Sequence, residues 1–341
     1  MSEATLVIGV DAMGGDYAPE AIIEGAIAAV TEGGGEFQVR LFGDEARIQT
    51  LLGDPASTKD ISIVHAPDTI GMHESATAAV KTKRDASVVR MLESHRDGEV
   101  HGCVGAGNTG AMMAAATLIL GRIAGIARPT IGTFFPSERG RVLVVDAGAN
   151  VDSTPRHLVQ FGVMGAVFVG MMLGIERPAV GLLSVGEEES KGNEAVVEAH
   201  RLMKNAPFRF VGNVEGRDIL KGKADVVVCD GFIGNILLKF AESVPLFLKT
   251  KLRHAAGKGL WNRLAVGLAS GTLRNIMREW DYQEHGGVPL LGVNGVAIIG
   301  HGRSTPKAVR NMIFKAREMI DRRVSEHIAA SVRSFQTAAE T

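Results

Sequence analysis

Short, continuously apolar runs rich in β-branched residues recur along the chain: Leu6 to Val10, Gln38 to Phe42, Ile61 to His65, Gly102 to Val104, Val142 to Val145, Ala179 to Ser184, Phe208 to Gly212 and Val226 to Cys229. Segments with helical spacing lie between them, over Pro19 to Glu32, Ala86 to Arg96, Gly110 to Ile123, Pro155 to Leu173, Asn193 to Lys204 and Pro306 to Ile328. Strands that are apolar on both faces and alternate with helices predict an α/β fold with a mostly parallel sheet covered on both sides. The helix start at Pro155 is the clearest boundary, since Ser153 and Thr154 offer caps and proline fits a first turn. The alternation stops after Asn235. From Ile236 to Tyr282 no strand is read, and a helical stretch is interrupted by Gly257, Gly259, Gly267 and Gly271. Strand character resumes at Val296 to Gly300. The organisation expected is one α/β domain over 1–330 with a helical protrusion over 238–285, followed by a frayed tail over 331–341.

The run from Leu158 to Ile175, apolar except for Gln160, approaches the length of a membrane span and carries small residues at Gly162, Ala166, Gly170 and Gly174. Glycine-rich helices are only weakly hydrophobic, so the favoured reading is a central helix packed on the sheet or on a second subunit. With 341 residues and 45% hydrophobic content, the chain can bury a large core. Its 37 basic and 38 acidic residues leave a net charge of -1, so no global field recruits nucleic acid. Cys103 and Cys229 both sit in apolar runs, which argues for core thiols in a reducing cytoplasm and against a disulfide framework or a cysteine metal site. The start, Met-Ser-Glu-Ala-Thr, lacks the character of a signal peptide.

Candidate chemistry clusters where strands end. Ile8 to Asp16 runs from a strand into the pair Gly14 and Gly15, flanked by Asp11 and Asp16. Glycine pairs admit close backbone approach to an anion, while the two carboxylates oppose one. Gly105 to Gly110 matches G-x-G-x-x-G between a strand and a helix, but the acid of a dinucleotide site is missing about 20 residues later, where Thr130 to Pro136 stands. The simpler reading is an amide-rich helix start for a small anion, with Gly107, Asn108, Thr109 and Gly110 as its residues, or else a purely structural tight turn. Gly186 to Glu194 places Lys191 where it can neutralise a phosphate or an oxyanion, with Glu187 or Glu188 to orient it and Asn193 as a helix cap. Asp230 to Asn235, Gly287 to Gly295 with Asn294, and Gly300 to Ser304 with His301 repeat the pattern, and such loops converge on one cleft in α/β enzymes. No nucleophile elbow, zinc helix or paired-cysteine spacing is present, so no metal is expected. In the protrusion, Lys258 to Val266 sets Leu260, Trp261, Leu264 and Val266 beside Arg253, Lys258 and Arg263. An apolar tip with cations suits a bilayer surface or an acidic protein, and equally a helical hairpin that completes a core or a dimer seam.

Taken together these residues resemble the bacterial phosphate acyltransferases, which convert acyl-acyl-carrier-protein and inorganic phosphate to acyl phosphate for phospholipid synthesis. The resemblance runs from Leu6 to about Arg322 and is carried by Asp11 to Asp16, Gly105 to Ala111, Val145 to Asp152, Gly186 to Glu194, Gly212 to Asp218, Val226 to Lys239 and Gly286 to Gly302. Ser184 departs from it, standing where asparagine is frequent. The resemblance implies a Rossmann-like three-layer αβα fold related to phosphotransacetylases and isopropylmalate dehydrogenases. It also implies a cytoplasmic homodimer held peripherally at the inner face of the membrane, with no cofactor and with phosphate as co-substrate. The 260–266 tip would touch the bilayer near the integral-membrane glycerol-phosphate acyltransferase, and the neighbouring cations would face acyl carrier protein. Direct attack of phosphate on the thioester needs no strong base. On that mechanism Gly14, Gly15 and Gly107 to Gly110 hold phosphate, Lys191 is an electrostatic partner, Asn193, Asn235 and Asn294 are oxyanion donors, and His301 protonates the leaving sulfur. Three rivals predict different behaviour: a phosphotransacetylase-like enzyme acting on short acyl-coenzyme A, a nicotinamide-dependent dehydrogenase, and a non-enzymatic membrane scaffold for carrier proteins.

Overall fold

The computed structural model of the chain describes residues 5–53, 58–281, 283–284 and 286–340. Its strands are β1 Leu6–Asp11, β2 Phe37–Gly43, β3 Ile61–His65, β4 Gly102–Gly105, β5 Thr130–Ser137, β6 Gly140–Val145, β7 Ala179–Leu183, β8 Arg209–Val214, β9 Val226–Val228, β10 Val288–Leu291 and β11 Ala297–Ile299. The helices are α1 Glu20–Gly33, α2 Glu45–Leu52, α3 Ala76–Thr82, α4 Ser87–Arg96, α5 Thr109–Ile119, α6 Pro155–Leu173, α7 Glu194–Met203, α8 Gly216–Lys221, α9 Gly231–Ala256, α10 Leu260–Arg278, α11 Pro306–Asp321 and α12 Val324–Glu340.

All eleven strands join one sheet in the order β3-β2-β1-β4-β11-β10-β5-β6-β9-β7-β8. β1, β2, β3, β4 and β11 run parallel to one another, and so do β6, β9, β7 and β8. Between the two sets, β10 is antiparallel to both β11 and β5, and β5 is antiparallel to β6. Three reversals in a row make the second parallel set point opposite to the first. β5 and β10 are additions to the sequence reading: Gly132 and Pro136 break the apolar run of one, and the other is four residues long, contains Pro289 and is flanked by glycines.

One face of the sheet is covered by α1, α11, α12, α6 and α7, whose apolar sides bury Ile8, Val104, Leu143, Val180, Val226 and Ile298 in a continuous core. Helix α6 belongs to this layer, with Phe161, Met164 and Phe168 fully enclosed, so its apolar length is used against the sheet. The opposite face carries two separate clusters. Helices α3, α4 and α5 cover the first parallel set, and α8 with the start of α9 covers the second.

Three boundaries differ from the sequence reading. Asp230 to Asn235 is not a loop: Asp230 caps α9 by accepting from the Phe232 amide, and Gly231 opens the helix. The helix expected over Pro306 to Ile328 is split at Arg323, whose φ of 50° leaves the right-handed region. The tail expected to fray is helical through Glu340.

The hairpin of α9 and α10 stands off this body. α9 fully buries only Gly231 and Gly234, and α10 buries none of its described residues. Gly234 lies so close to the Asp146 carbonyl oxygen that a Cβ there would overlap it, whereas a Cβ on Gly267, inside α10, would meet nothing within 4 Å. Gly234→Ala is expected to destabilise the fold by more than about 3 kcal/mol, because the obstructing atom is backbone. Gly267→Ala should stabilise it by roughly 0.5–1 kcal/mol through helix propensity alone, and urea unfolding of the two variants checks the contrast.

Behind β5, Lys315 of α11 places its ammonium over the Phe134 ring at 5.6 Å and donates to the Gly287 carbonyl at 3.3 Å. Burial pushes its pKa down to about 8, with Arg141 adding repulsion and Glu318 opposing it. The unfolded chain therefore binds the extra proton between about pH 8 and the ordinary lysine value, and stability contributed by this residue rises with pH across that window. Lys315→Met should raise the unfolding midpoint near neutral pH, with an advantage that shrinks as pH climbs through that window.

Candidate active site

Three strand-end loops of the first parallel set meet backbone to backbone. A Cβ on Gly14 would stand 2.8 Å from the Gly107 nitrogen and 2.6 Å from Asp11 Oδ2, so neither loop tolerates a side chain at this contact. Gly15, at φ 118°, lies between the Gly302 and Ala106 carbonyls. The Asp16 amide donates to Gly302 O at 2.6 Å, and the Gly300 amide donates to Gly105 O at 2.8 Å. Asp11 is buried beneath this contact and accepts the Met13 amide at 3.1 Å. Burial raises its pKa, opposed by hydrogen bonds from the Ser87 side chain and the Met13 and Gly14 amides. The carboxylate that opposed anion binding in the sequence is thus an internal brace of the loop, while Asp16 is exposed.

The cluster aims the start of α5 outward. Asn108 caps that helix by accepting the Ala111 amide at 3.0 Å, and its own amide group donates to the carbonyls of Gly71 and Met72 at 3.1 and 3.2 Å. Its side-chain donors are therefore spent on the 71–74 loop. Thr109 and Gly110 are exposed, and the amides of a first helical turn have no acceptor within their own helix.

A second wall comes from the other parallel set. After β6, Asp146 Oδ1 accepts the Gly148 and Ala149 amides at 3.0 and 2.8 Å, and Oδ2 accepts the Asn150 amide at 2.7 Å and its side chain at 2.8 Å. Burial still pushes the Asp146 carboxyl up, against those four donors. The turn so formed packs Gly148 on Asn235, where a Cβ would lie 3.2 Å from the asparagine Cβ.

Between these walls lies a cleft of about 480 Å³ floored by β5. One end is polar, with Thr109, Gly110, Gly148, Asn235, Gly300 and His301, and the other is lined by Phe135, Pro136, Leu238, Ala241 and Trp280 together with the charged Lys239, Glu242 and Glu279. His301 Nδ1 accepts the Arg303 amide at 3.1 Å, which leaves the proton of the neutral ring on Nε2. Its carbonyl accepts both the amide and hydroxyl of Ser304, so the loop is tightly turned.

Of the residues marked from sequence, Thr109, Gly110, Asn235 and His301 line this cleft, and Gly14, Gly15, Gly107 and Asn108 form the packing beneath its polar end. Asn294 is elsewhere: its amide donates to the Leu120 and Arg122 carbonyls at 3.2 and 3.1 Å, tying two loops together. Asn193 caps α7 by accepting the Val196 amide and borders a second depression of about 530 Å³, shared with Asp152, Ser153, Asp230 and Phe232. Lys191 sits in the same β7–α7 loop, held by Ser184 Oγ donating to its carbonyl at 2.9 Å. Of the acids proposed to orient it, Glu187 pairs with Lys223 instead, while Glu188 Oε2 and the Lys191 side chain both lie against Gly186. Lys204 takes Glu189, and the Lys191 ammonium has no ion pair among the described residues. Sequence reasoning missed the apolar half of the cleft, Phe135, Leu238 and Trp280, because those positions carry no motif and are brought together from β5, α9 and the segment after α10. At the hairpin tip, Leu260, Trp261 and Leu264 are exposed and Val266 is half-buried, with Arg253, Lys258 and Arg263 nearby in sequence.

No group of three or more histidine, cysteine, aspartate or glutamate residues among those described is arranged to hold a metal ion. Burial pushes both thiols, Cys103 and Cys229, far up from the ordinary range.

Comparison with known proteins agrees with this architecture. A phosphotransacetylase from Streptococcus pyogenes superposes with a TM-score of 0.61 at 15% identity, covering 94% of each chain, a likeness of fold alone. In sequence, the phosphate acyltransferases of Pelotomaculum thermopropionicum and Chlorobaculum parvum are 46% and 45% identical over 329 and 337 residues, covering 96% of this chain and 96% and 99% of their own lengths. The family described as Fatty acid synthesis protein matches residues 6–327. The chain therefore belongs to this family of acyltransferases.

Proposed function

We propose that the cleft transfers an acyl group from the thioester of acyl carrier protein to inorganic phosphate, yielding acyl phosphate and the free carrier thiol for phospholipid synthesis. The observation that carries this reading is the division of one cleft into a glycine-rich helix start and an apolar lining over β5. Phosphate sits at the Thr109 and Gly110 amides, where the helix dipole favours an anion. The acyl chain lies along Phe135, Leu238 and Trp280. A phosphate oxygen attacks the thioester carbon, the oxyanion forms beside the Asn235 amide, and the C–S bond breaks with the departing sulfur hydrogen-bonded by the His301 Nε2–H and taking up the proton that the hydrogen phosphate gives up. Lys191, an ammonium without an ion pair among the described residues, adds positive charge from the neighbouring loop. Phosphate is itself the nucleophile, so the reaction asks for positioning and charge stabilisation and for no cofactor.

The hairpin has a part in this reading. Trp261 is 83% exposed and Leu268 89%, on a helix with basic residues beside its apolar tip, a combination suited to the inner membrane surface. There the product is released close to the glycerol-phosphate acyltransferase that consumes it, and the cations meet the acidic carrier. A homodimer fits the remaining apolar surface of α9, where Phe240 is 69% exposed.

Incubation with long-chain acyl carrier protein and phosphate, trapping acyl phosphate as the hydroxamate, should give phosphate-dependent product. Product from coenzyme A thioesters alone would replace this reading with the short-chain one. His301→Ala is expected to lower kcat by about a hundredfold or more, as for loss of a donor to charge that develops in the transition state. Lys191→Met should lower kcat/KM by about tenfold or more with an unchanged circular dichroism spectrum. For the tip, Leu260→Asp with Trp261→Asp should abolish co-sedimentation with anionic liposomes while leaving turnover of soluble substrate intact.

A further inference from the structure

A groove of about 740 Å³ lies on the face of the sheet away from the cleft, between the C-terminal half of α6, α12 and the chain entering β7 and β8. A recess of about 240 Å³ continues it along the same helix. The trough exists because both helices are small where they face it: Ala166 and Gly170 on α6 stand opposite Ala330 and Ser331 on α12. Farther along α6, the space above Gly162 is filled by the Phe208 ring, which closes that end. The floor is therefore apolar and elongated.

The mouth is basic. Arg177 and Arg209 both line it, and neither guanidinium has a hydrogen bond or ion pair among the described residues. They arise from neighbouring chain segments, since Arg209 pairs in register with Ala179, two residues beyond Arg177. His327 adds an imidazole whose Nδ1 is bonded to the Arg323 carbonyl, and Glu176 is the one carboxylate residue in the lining. The groove sits at the N-terminal edge of β7 and β8, whereas substrates of α/β sheets meet strand C-terminal ends.

We infer that this groove binds a single-chain anionic amphiphile, its hydrocarbon chain on the α6 floor and its carboxylate or phosphate head between Arg177 and Arg209. A planar guanidinium fork matches either oxyanion, and an apolar trough ending in two guanidiniums without ion pairs selects against neutral chains and free anions alike. The site uses none of the cleft residues, so it stands or falls independently of the catalytic reading.

Isothermal titration of the full chain with laurate and with dodecyl phosphate, in saturating inorganic phosphate to occupy the cleft's anion site, tests it. Binding of either is expected, and their relative affinity names the head group. Arg177→Glu with Arg209→Glu should weaken this binding about tenfold or more, and Ser331→Trp should do so by filling the trough, both with acyl transfer retained as proof of folding. No binding of either anion would overturn the inference. So would equal affinity for neutral dodecyl maltoside, or unchanged affinity in both variants.

Discussion

The reversal of strand direction at β10 and β5 is the constraint on which the site depends. Parallel strands require crossover segments, and here these are helices that cover the sheet, whereas antiparallel neighbours are joined by tight turns that cover nothing. β5 and β6 are linked through Ser137 and Gly140, and β10 and β11 through the 292–296 turn. No helix is therefore delivered over the middle of this face. The gap between α5 and α9 leaves β5 as an open floor, and it separates the two apolar clusters of that face. The cleft is a consequence of topology before any residue in it is chosen for chemistry.

The two parallel sets furnish the walls by the same device. Each places a buried aspartate at the end of its leading strand, Asp11 after β1 and Asp146 after β6, and each carboxylate gathers amides of the loop that follows. Desolvation disfavours both charges, so the hydrogen bonds must offset it, and the loops are held where those bonds are satisfied. Glycine then lets the braced loops touch: Gly14 on Gly107 in one half, Gly231 and Gly234 on the Asp146–Asn150 turn in the other. The anion site proposed here would be made of backbone amides, which have to be held rigidly to favour a ligand, and the braced loops supply that rigidity.

Much of this was legible in sequence because buried parallel strands write their burial as continuous apolar runs, and eight of them stand out from Leu6 to Cys229. The glycine motifs at Gly14 and Gly107 were legible too, since close backbone contact demands that residue. What escaped was whatever depended on partners distant in sequence. β10 is four residues long and owes its existence to β11 and β5 on either side. Asn108 and Asn294 read as available donors, yet each is consumed by carbonyls of loops 37 and more than 170 residues away. Nothing local distinguishes an amide that faces a ligand from one that ties a loop. Only Asn235, pressed on Gly148, ends up at the cleft.

Helix α9 joins the two ends of the molecule's behaviour in a single element. Its first turn is wedged by Gly231 and Gly234 against the turn that walls the cleft, and its second and third turns supply Leu238 and Ala241 to the lining. Beyond them the helix leaves the body, with Leu246 and Phe247 exposed and α10 as its neighbour. Apolar area of this extent is costly in water, and the body offers no surface to bury it. Lipid or protein cover of such a surface is what the role proposed for the hairpin would supply.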